Sequence, residues 1–247
     1  MSETLKNPLE ERLKSWHGED WHTAKGRIIR DIVYAIDTGL VTTVSFIAGM
    51  SASLVVKNKI IFAGLIQIVA GTLAIFFGSY ISTKAQKHFF ENQIEREKKE
   101  IEDDPQKETQ EIRVIFGDMG FTKEEQEVAV KRITADKRRW LEFMAQEEIG
   151  ISPGLIDNPF EIGLISAGSF LIGALPAIAP FFIFENPDRA LATSAVSVLG
   201  FLFIVGVAKS KITKMRWLLS GLETLAMGAL SCGSGFLLGR LAVSYFH

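Results

Sequence analysis

The sequence predicts an all-α membrane protein: five membrane-crossing helices, with a charged, water-facing helical domain inserted between the second and the third. Three observations predict it. Charge is segregated: Asp, Glu, Lys and Arg make up 23% of the 247 residues, yet they crowd into residues 1–31 and 84–148 and into short connectors. Five stretches between these blocks are apolar all round for about twenty residues, the length that a hydrocarbon core roughly 30 Å thick demands of a helix. Finally, the Lys and Arg of the connectors fall mainly on one side of those stretches.

Taken in order, residues 1–31 form a polar lead-in expected to be cytoplasmic. They hold no apolar stretch resembling a cleavable signal. Trp16, His17, Trp21 and His22 read as an interfacial amphipathic segment rather than as a metal site. Residues 32–83 carry the first two spans, 32–56 with the single charge Asp37 and 60–83 with none. Residues 160–247 carry the other three: 162–184 without charge, 190–208 without charge, and 217–239 with the single charge Glu223. Their glycines, with Pro176 and Pro180, are ordinary in packed membrane helices. Cys232 is the only cysteine, so no disulfide can form within the chain.

Orientation follows from the connectors. Lys25, Arg27 and Arg30, then Lys84 and Lys87, then Lys209, Lys211, Lys214 and Arg216 mark one side; Lys57, Lys59, Arg189 and Arg240 mark the other. The basic-rich side is the cytoplasmic one, which puts the N-terminus and the inserted domain in the cytoplasm and the C-terminus opposite.

The inserted domain, residues 84–150, reads as all helical. No Gly or Pro separates the second span from Asp104, so one helix runs on until Pro105 ends it. A second helix is expected over 106–116, stopped by Gly117 and Gly120. Thr122 with Glu125 forms a capping box for a third, and a fourth covers 135–149. Glu97 and Glu100 stand on one face of the first helix; Glu108 and Glu111 repeat the spacing beyond Pro105. A hairpin there would bring the pairs together, with Glu147, Glu148 and Met144 closing the group from the last helix. Such oxygen-rich clusters suit Fe²⁺, Mn²⁺, Ca²⁺ or Mg²⁺, and a thioether tilts the preference towards a transition metal. The ordinary alternative is a solvated face on which Lys98, Lys99 and Lys107 pair with the glutamates.

From Arg30 to Arg240 the chain resembles the vacuolar iron transporter family. The resemblance lies in Arg30-Asp31-Ile32, Gly39-Leu40 and Ala48-Gly49-Met50-Ser51 of the first span, and in Gly78-Ser79-Tyr80-Ile81 of the second. It continues in Gly173-Ala174-Leu175-Pro176, Ser220-Gly221-Leu222-Glu223 and Gly239-Arg240-Leu241. It implies a five-span homodimer whose cytoplasmic domain binds metal through glutamates matching Glu97, Glu100, Glu108, Glu111 and Glu148. Met144 matches a family methionine, while Ala145 stands where a second would be. The family's membrane ligands, an Asp before Gly-Leu, a Glu and a Met, correspond here to Thr38, Gln67 and Ile75, and Asp37 sits one residue early.

The implied function is export of Fe²⁺, or Mn²⁺, from the cytoplasm. The divalent metal is then the cargo, and no tightly bound cofactor is expected. An intramembrane charge is costly, so Asp37 and Glu223, with Thr38 and Gln67, are the candidate pathway residues; Glu223 is the preferred proton carrier if transport is proton-coupled. The rival reading is a membrane-anchored metal-binding or sensing protein whose pore no longer transports. No Walker loop, dinucleotide turn or catalytic triad is present, and no basic-aromatic stripe for nucleic acid. The expected partners are a metal ion, the lipid bilayer and a second copy of the chain.

Overall fold

A computed structural model describes residues 25–53, 56–150, 157–214 and 216–246. The lead-in containing Trp16, His17, Trp21 and His22 lies outside the described residues. All regular structure among the described residues is helical: α1 (Lys25–Ser53), α2 (Lys57–Asp103), α3 (Pro105–Asp118), α4 (Lys123–Ile133), α5 (Lys137–Glu147), α6 (Pro159–Ile183), α7 (Pro187–Thr213) and α8 (Trp217–Phe246). Five of them, α1, α2, α6, α7 and α8, are long and apolar enough to cross a membrane. The protein is an all-α membrane protein.

The chain divides into two compact units. One comprises the described parts of residues 1–80 and 160–247; the other is 81–159. In the first unit, α8 packs along both α1 and α7, and α1 also meets α7. Leu40, Val44 and Ile47 of α1 join Phe170, Ile178 and Phe181 of α6 and Val198 and Leu202 of α7 in a buried apolar core.

Small residues let the backbones approach. A Cβ on Gly173 would collide with the carbonyl of Ile36, and one on Gly39 with the carbonyl of Phe170, so α1 and α6 cross through interlocked glycines. The same holds between α1 and α8, where a Cβ on Gly235 would strike Ser45 and one on Gly239 would strike Gly49. Hydroxyls add interhelical bonds: Ser194 donates to the Ala177 carbonyl at 2.6 Å and Ser220 to the Gly206 carbonyl at 2.7 Å. At one end of this unit Lys57 pairs with Glu185 at 3.0 Å, which ties the start of α2 to the turn after α6.

The span boundaries differ from the sequence reading where charge alone was used to set them. α7 does not stop at Ala208 but continues to Thr213 and ends on Lys214 in the left-handed conformation (φ 54°). Nothing between Ala208 and Thr213 breaks a helix, so Lys209 is a helix residue rather than a connector residue.

The second unit is built from the C-terminal part of α2 with α3, α4 and α5. α2 is unbroken to Asp103, as expected. Asp104 caps α3 by accepting from Lys107 N at 3.1 Å, and Pro105 takes the first helical position, where its missing N–H costs nothing. α3 outlasts Gly117. It ends in a Schellman motif at Gly120 (φ 90°), with Gly120 N donating to Gly117 O at 2.9 Å and Phe121 N to Phe116 O at 3.0 Å. The rings of Phe116 and Phe121 pack edge to face across that turn.

The Thr122–Glu125 capping box forms as expected. α5 is shorter than 135–149, because Asp136 caps it by accepting from Arg138 N and Arg139 N. Ile101, Ile112, Val130, Trp140 and Met144 form the core of this unit. Arg113 Nε and Nη2 grip both oxygens of Glu127, joining α3 to α4.

The crossing of α1 and α6 predicts an asymmetric response to added methyl groups. Gly173→Ala, although it favours helix, will cost about 1–3 kcal/mol through overpacking and lower the melting temperature of the purified protein. Gly168→Ala, where the new Cβ meets nothing within 4 Å, will leave it unchanged or raise it.

Candidate metal centre

Three carboxylates from three elements of the 81–159 unit converge: Glu97 of α2, Glu108 of α3 and Glu148, which caps the end of α5. Each offers one oxygen, and these oxygens all lie within 4.8 Å of one another. A divalent ion holds oxygens at about 2.0–2.6 Å, so ligands on opposite sides of it are roughly 4–5 Å apart. The three groups are therefore spaced as one ion would need them.

Glu97 and Glu108 reach this geometry because the chain reverses at Asp104 and Pro105. Glu97 is one turn before Ile101 on α2, and Glu108 one turn before Ile112 on α3. Both isoleucines are buried in the core of the unit, so each drives its glutamate to the same side. Met144 plays the same part on α5: it is fully buried in the apolar core, one turn before Glu148.

The electrostatics are unfavourable without a cation. Only 3% of Glu97 and 1% of Glu108 is exposed. Glu97 Oε1 and Glu108 Oε2 are buried without a hydrogen-bond partner. Burial, with Glu148 and Glu108 as like-charged neighbours, pushes the Glu97 carboxyl up to about 8. Once protonated, Glu97 finds carboxylate acceptors on Glu108 and Glu148. Glu108 is also raised, by burial and by Glu111; Glu148 is raised by burial and by Glu111 and Glu100.

Glu100 and Glu111 do not join the inner group. Glu100 pairs with Arg96 Nε at 3.0 Å and Glu111 with Lys107 Nζ at 3.1 Å, each one helical turn away. They form a flanking shell whose charge still acts on the three inner carboxyls. The basic partners differ in part from those expected: Lys107 pairs as anticipated, but Arg96, not Lys98 or Lys99, takes Glu100, and Lys98 lies beside Glu95.

The polar residues of the spans occupy the other unit. Asp37 has a buried oxygen, Oδ1, with no hydrogen-bond partner, and Arg30 pairs with the adjacent Asp31. Thr38 donates to the Tyr34 carbonyl and Thr42 to the Thr38 carbonyl, both at 2.6 Å, while Gln67 Nε2 lies 3.5 Å from Thr42 Oγ1. Gln67 Oε1 is also buried without a partner. Ile75 packs against the apolar core. Glu223 faces Lys209 Nζ at 4.0 Å. Sequence reasoning missed Lys209 by assigning it to a connector. The signal for it was the absence of any Gly or Pro between Ala208 and Lys214.

The chain is similar to known proteins over most of its length. A model of the VIT family matches residues 29–240. Vacuolar iron transporter 2 of Oryza sativa subsp. japonica is 28% identical over 240 residues, which cover 96% of each chain. Vacuolar iron transporter 1 of Arabidopsis thaliana is 26% identical over 234 residues, covering 95% of this chain and 93% of that one. The vacuolar iron transporter of Plasmodium falciparum (isolate 3D7) is 27% identical over 232 residues, or 90% of this chain and 85% of its own. With the family model spanning nearly its full length, the chain belongs to the VIT family.

Proposed function

We propose that this protein is a metal transporter that exports Fe²⁺, with Mn²⁺ as a second cargo, from the cytoplasm, and that the glutamate centre collects the ion. The observation that carries this reading is the trio of converging carboxylates with two buried, unbonded oxygens on Glu97 and Glu108. The names of the relatives point to iron. Carboxylate oxygens suit Fe²⁺ and Mn²⁺ alike.

In this reading the 84–150 domain and the N-terminus face the cytoplasm, the C-terminus faces the opposite side, and two copies pair through their spans. Glu97, Glu108 and Glu148 hold the ion, while Glu100 and Glu111 raise the local negative potential that draws it in. Met144, the candidate thioether ligand, is fully buried in the apolar core one turn before Glu148. Asp37, Thr38, Gln67 and Glu223 then offer oxygens along the spans. The unpartnered oxygens of Asp37 and Gln67 support a polar route there, since such groups are expensive in lipid unless something pairs with them.

The second reading, a metal-binding or sensing protein without transport, is favoured by Ile75 packing in the core and by the Thr38 hydroxyl being committed to its own helix. Flux separates the two. In proteoliposomes with an internal iron-responsive dye, the transport reading expects Fe²⁺ entry that Glu223→Ala and Glu97→Ala both reduce. Tight binding with no entry would establish the rival.

Two further outcomes are expected of the centre itself. Glu97→Gln, Glu108→Gln or Glu148→Gln will weaken metal binding by tenfold or more, about 1.4 kcal/mol per decade, in calorimetric titration. Glu100→Gln and Glu111→Gln will do less, and their effect will fade with added salt.

The second outcome concerns pH. Folded Glu97 keeps its proton up to about pH 8, whereas the unfolded group loses it near 4.5, so the folded state binds more protons within that window. Its contribution to stability is therefore complete at the acid end and is lost as pH rises towards 8. The melting temperature of the metal-free protein will fall over that range, and Glu97→Gln will flatten the fall. Mn²⁺ affinity will run the other way, strengthening towards pH 8 as the competing proton leaves.

A further inference from the structure

Lys107 touches both shells of the metal centre. Its Nζ lies 3.7 Å from Glu108 Oε1 and 3.1 Å from Glu111 Oε1, so a single ammonium stands between an inner and a flanking glutamate of α3. Glu108 is divided by this contact: Oε1 faces the lysine, while Oε2 is the buried oxygen without a hydrogen-bond partner. The same order recurs on α2, where Arg96 precedes the inner Glu97 and pairs with the flanking Glu100 at 3.0 Å. Among the described residues, however, Lys107 alone comes within ion-pair distance of an inner glutamate. An exposed i,i+4 pair by itself contributes little. Glu108 is almost entirely buried, so its attraction to the ammonium is screened less than that of a surface pair.

We propose that Lys107 is an affinity-setting residue of the metal centre: its ammonium covers Glu108 Oε1 and holds Glu111 away from the ion, so that Glu97, Glu108 and Glu148 bind without a fourth carboxylate. The inference rests on the reading of that centre as the collector of the ion. Two effects of the lysine act in the same direction. Its charge opposes a dication bound at Glu108, and its hold on Glu111 keeps that carboxylate from closing on the ion. A collecting site must also let go, and binding that is too tight stalls the transfer. Glutamine at position 107 would keep the helix, remove the charge and free Glu111.

The test is a double-mutant cycle on the full chain in detergent, with Mn²⁺ affinity read from the electron paramagnetic resonance signal of the free ion. Lys107→Gln is expected to tighten binding by roughly threefold to tenfold, because a like charge several ångströms from the dication is gone. Glu111→Gln should cost little while the lysine is present and several-fold more once it is replaced, since Glu111 is then a ligand. Lys107→Arg should bind as the parent does. Lys98→Gln, which removes an equal charge from beside Glu95, should leave the affinity where it was. Lys107 is 60% exposed, so its replacement is expected to fold, and Lys107→Met, which keeps the apolar stem, repeats the cycle if the glutamine variant does not. Unchanged or weaker Mn²⁺ binding in the variant without the lysine charge would overturn the proposal, as would an equal cost of Glu111→Gln in both backgrounds. Mn²⁺ binding that persists unaltered when Glu97→Gln, Glu108→Gln and Glu148→Gln are combined would instead sink the collecting reading itself, and this proposal with it.

Discussion

Carboxyl groups brought within 4.8 Å of one another repel, and a polar cluster held mostly out of water gets little help from solvent screening. The 81–159 unit accepts that penalty because an apolar core forces it. Ile101, Ile112 and Met144 are each one helical turn from an inner glutamate, and burying them together turns Glu97 and Glu108 inwards and sets the exposed Glu148 beside them. The hydrophobic effect, which has no directional preference, is thus converted into a defined arrangement of oxygens by helical periodicity and the turn at Asp104–Pro105. Proton retention on Glu97 relieves part of the repulsion among the three carboxyls.

Much of this was legible in the residues. Five apolar stretches, the unbroken run to Pro105 and the Thr122–Glu125 box are local signals, and local signals survive folding because they depend only on neighbours in the chain. The glutamates on either side of Pro105 could be grouped by spacing alone. Their division into an inner trio and a flanking pair could not, since it depends on which side of α2 and α3 the isoleucines bury. Arg96 capturing Glu100 is a rotamer choice that spacing leaves open among several cations.

The boundaries show where local signals mislead. Gly117 looked like a stop but lies inside α3, because the helix ends where a left-handed residue permits the Schellman bonds, and Gly120 provides it. Lys209 looked like a connector because it is charged. In the structure a charge ends a span only if the backbone can also leave the helix, and α7 finds that exit at Lys214.

The glycine interlocks have a consequence for how the bundle can move. α1 is keyed to α6 through Gly39 and Gly173 and to α8 through Gly49, Gly235 and Gly239, with side chains absent at the crossing points. Helices meshed backbone to backbone cannot slide or roll past each other without riding over the neighbouring carbonyls. Any opening of a route lined by α1 must therefore carry α6 and α8 along as one rigid body, with the displacement taken up where no such teeth engage.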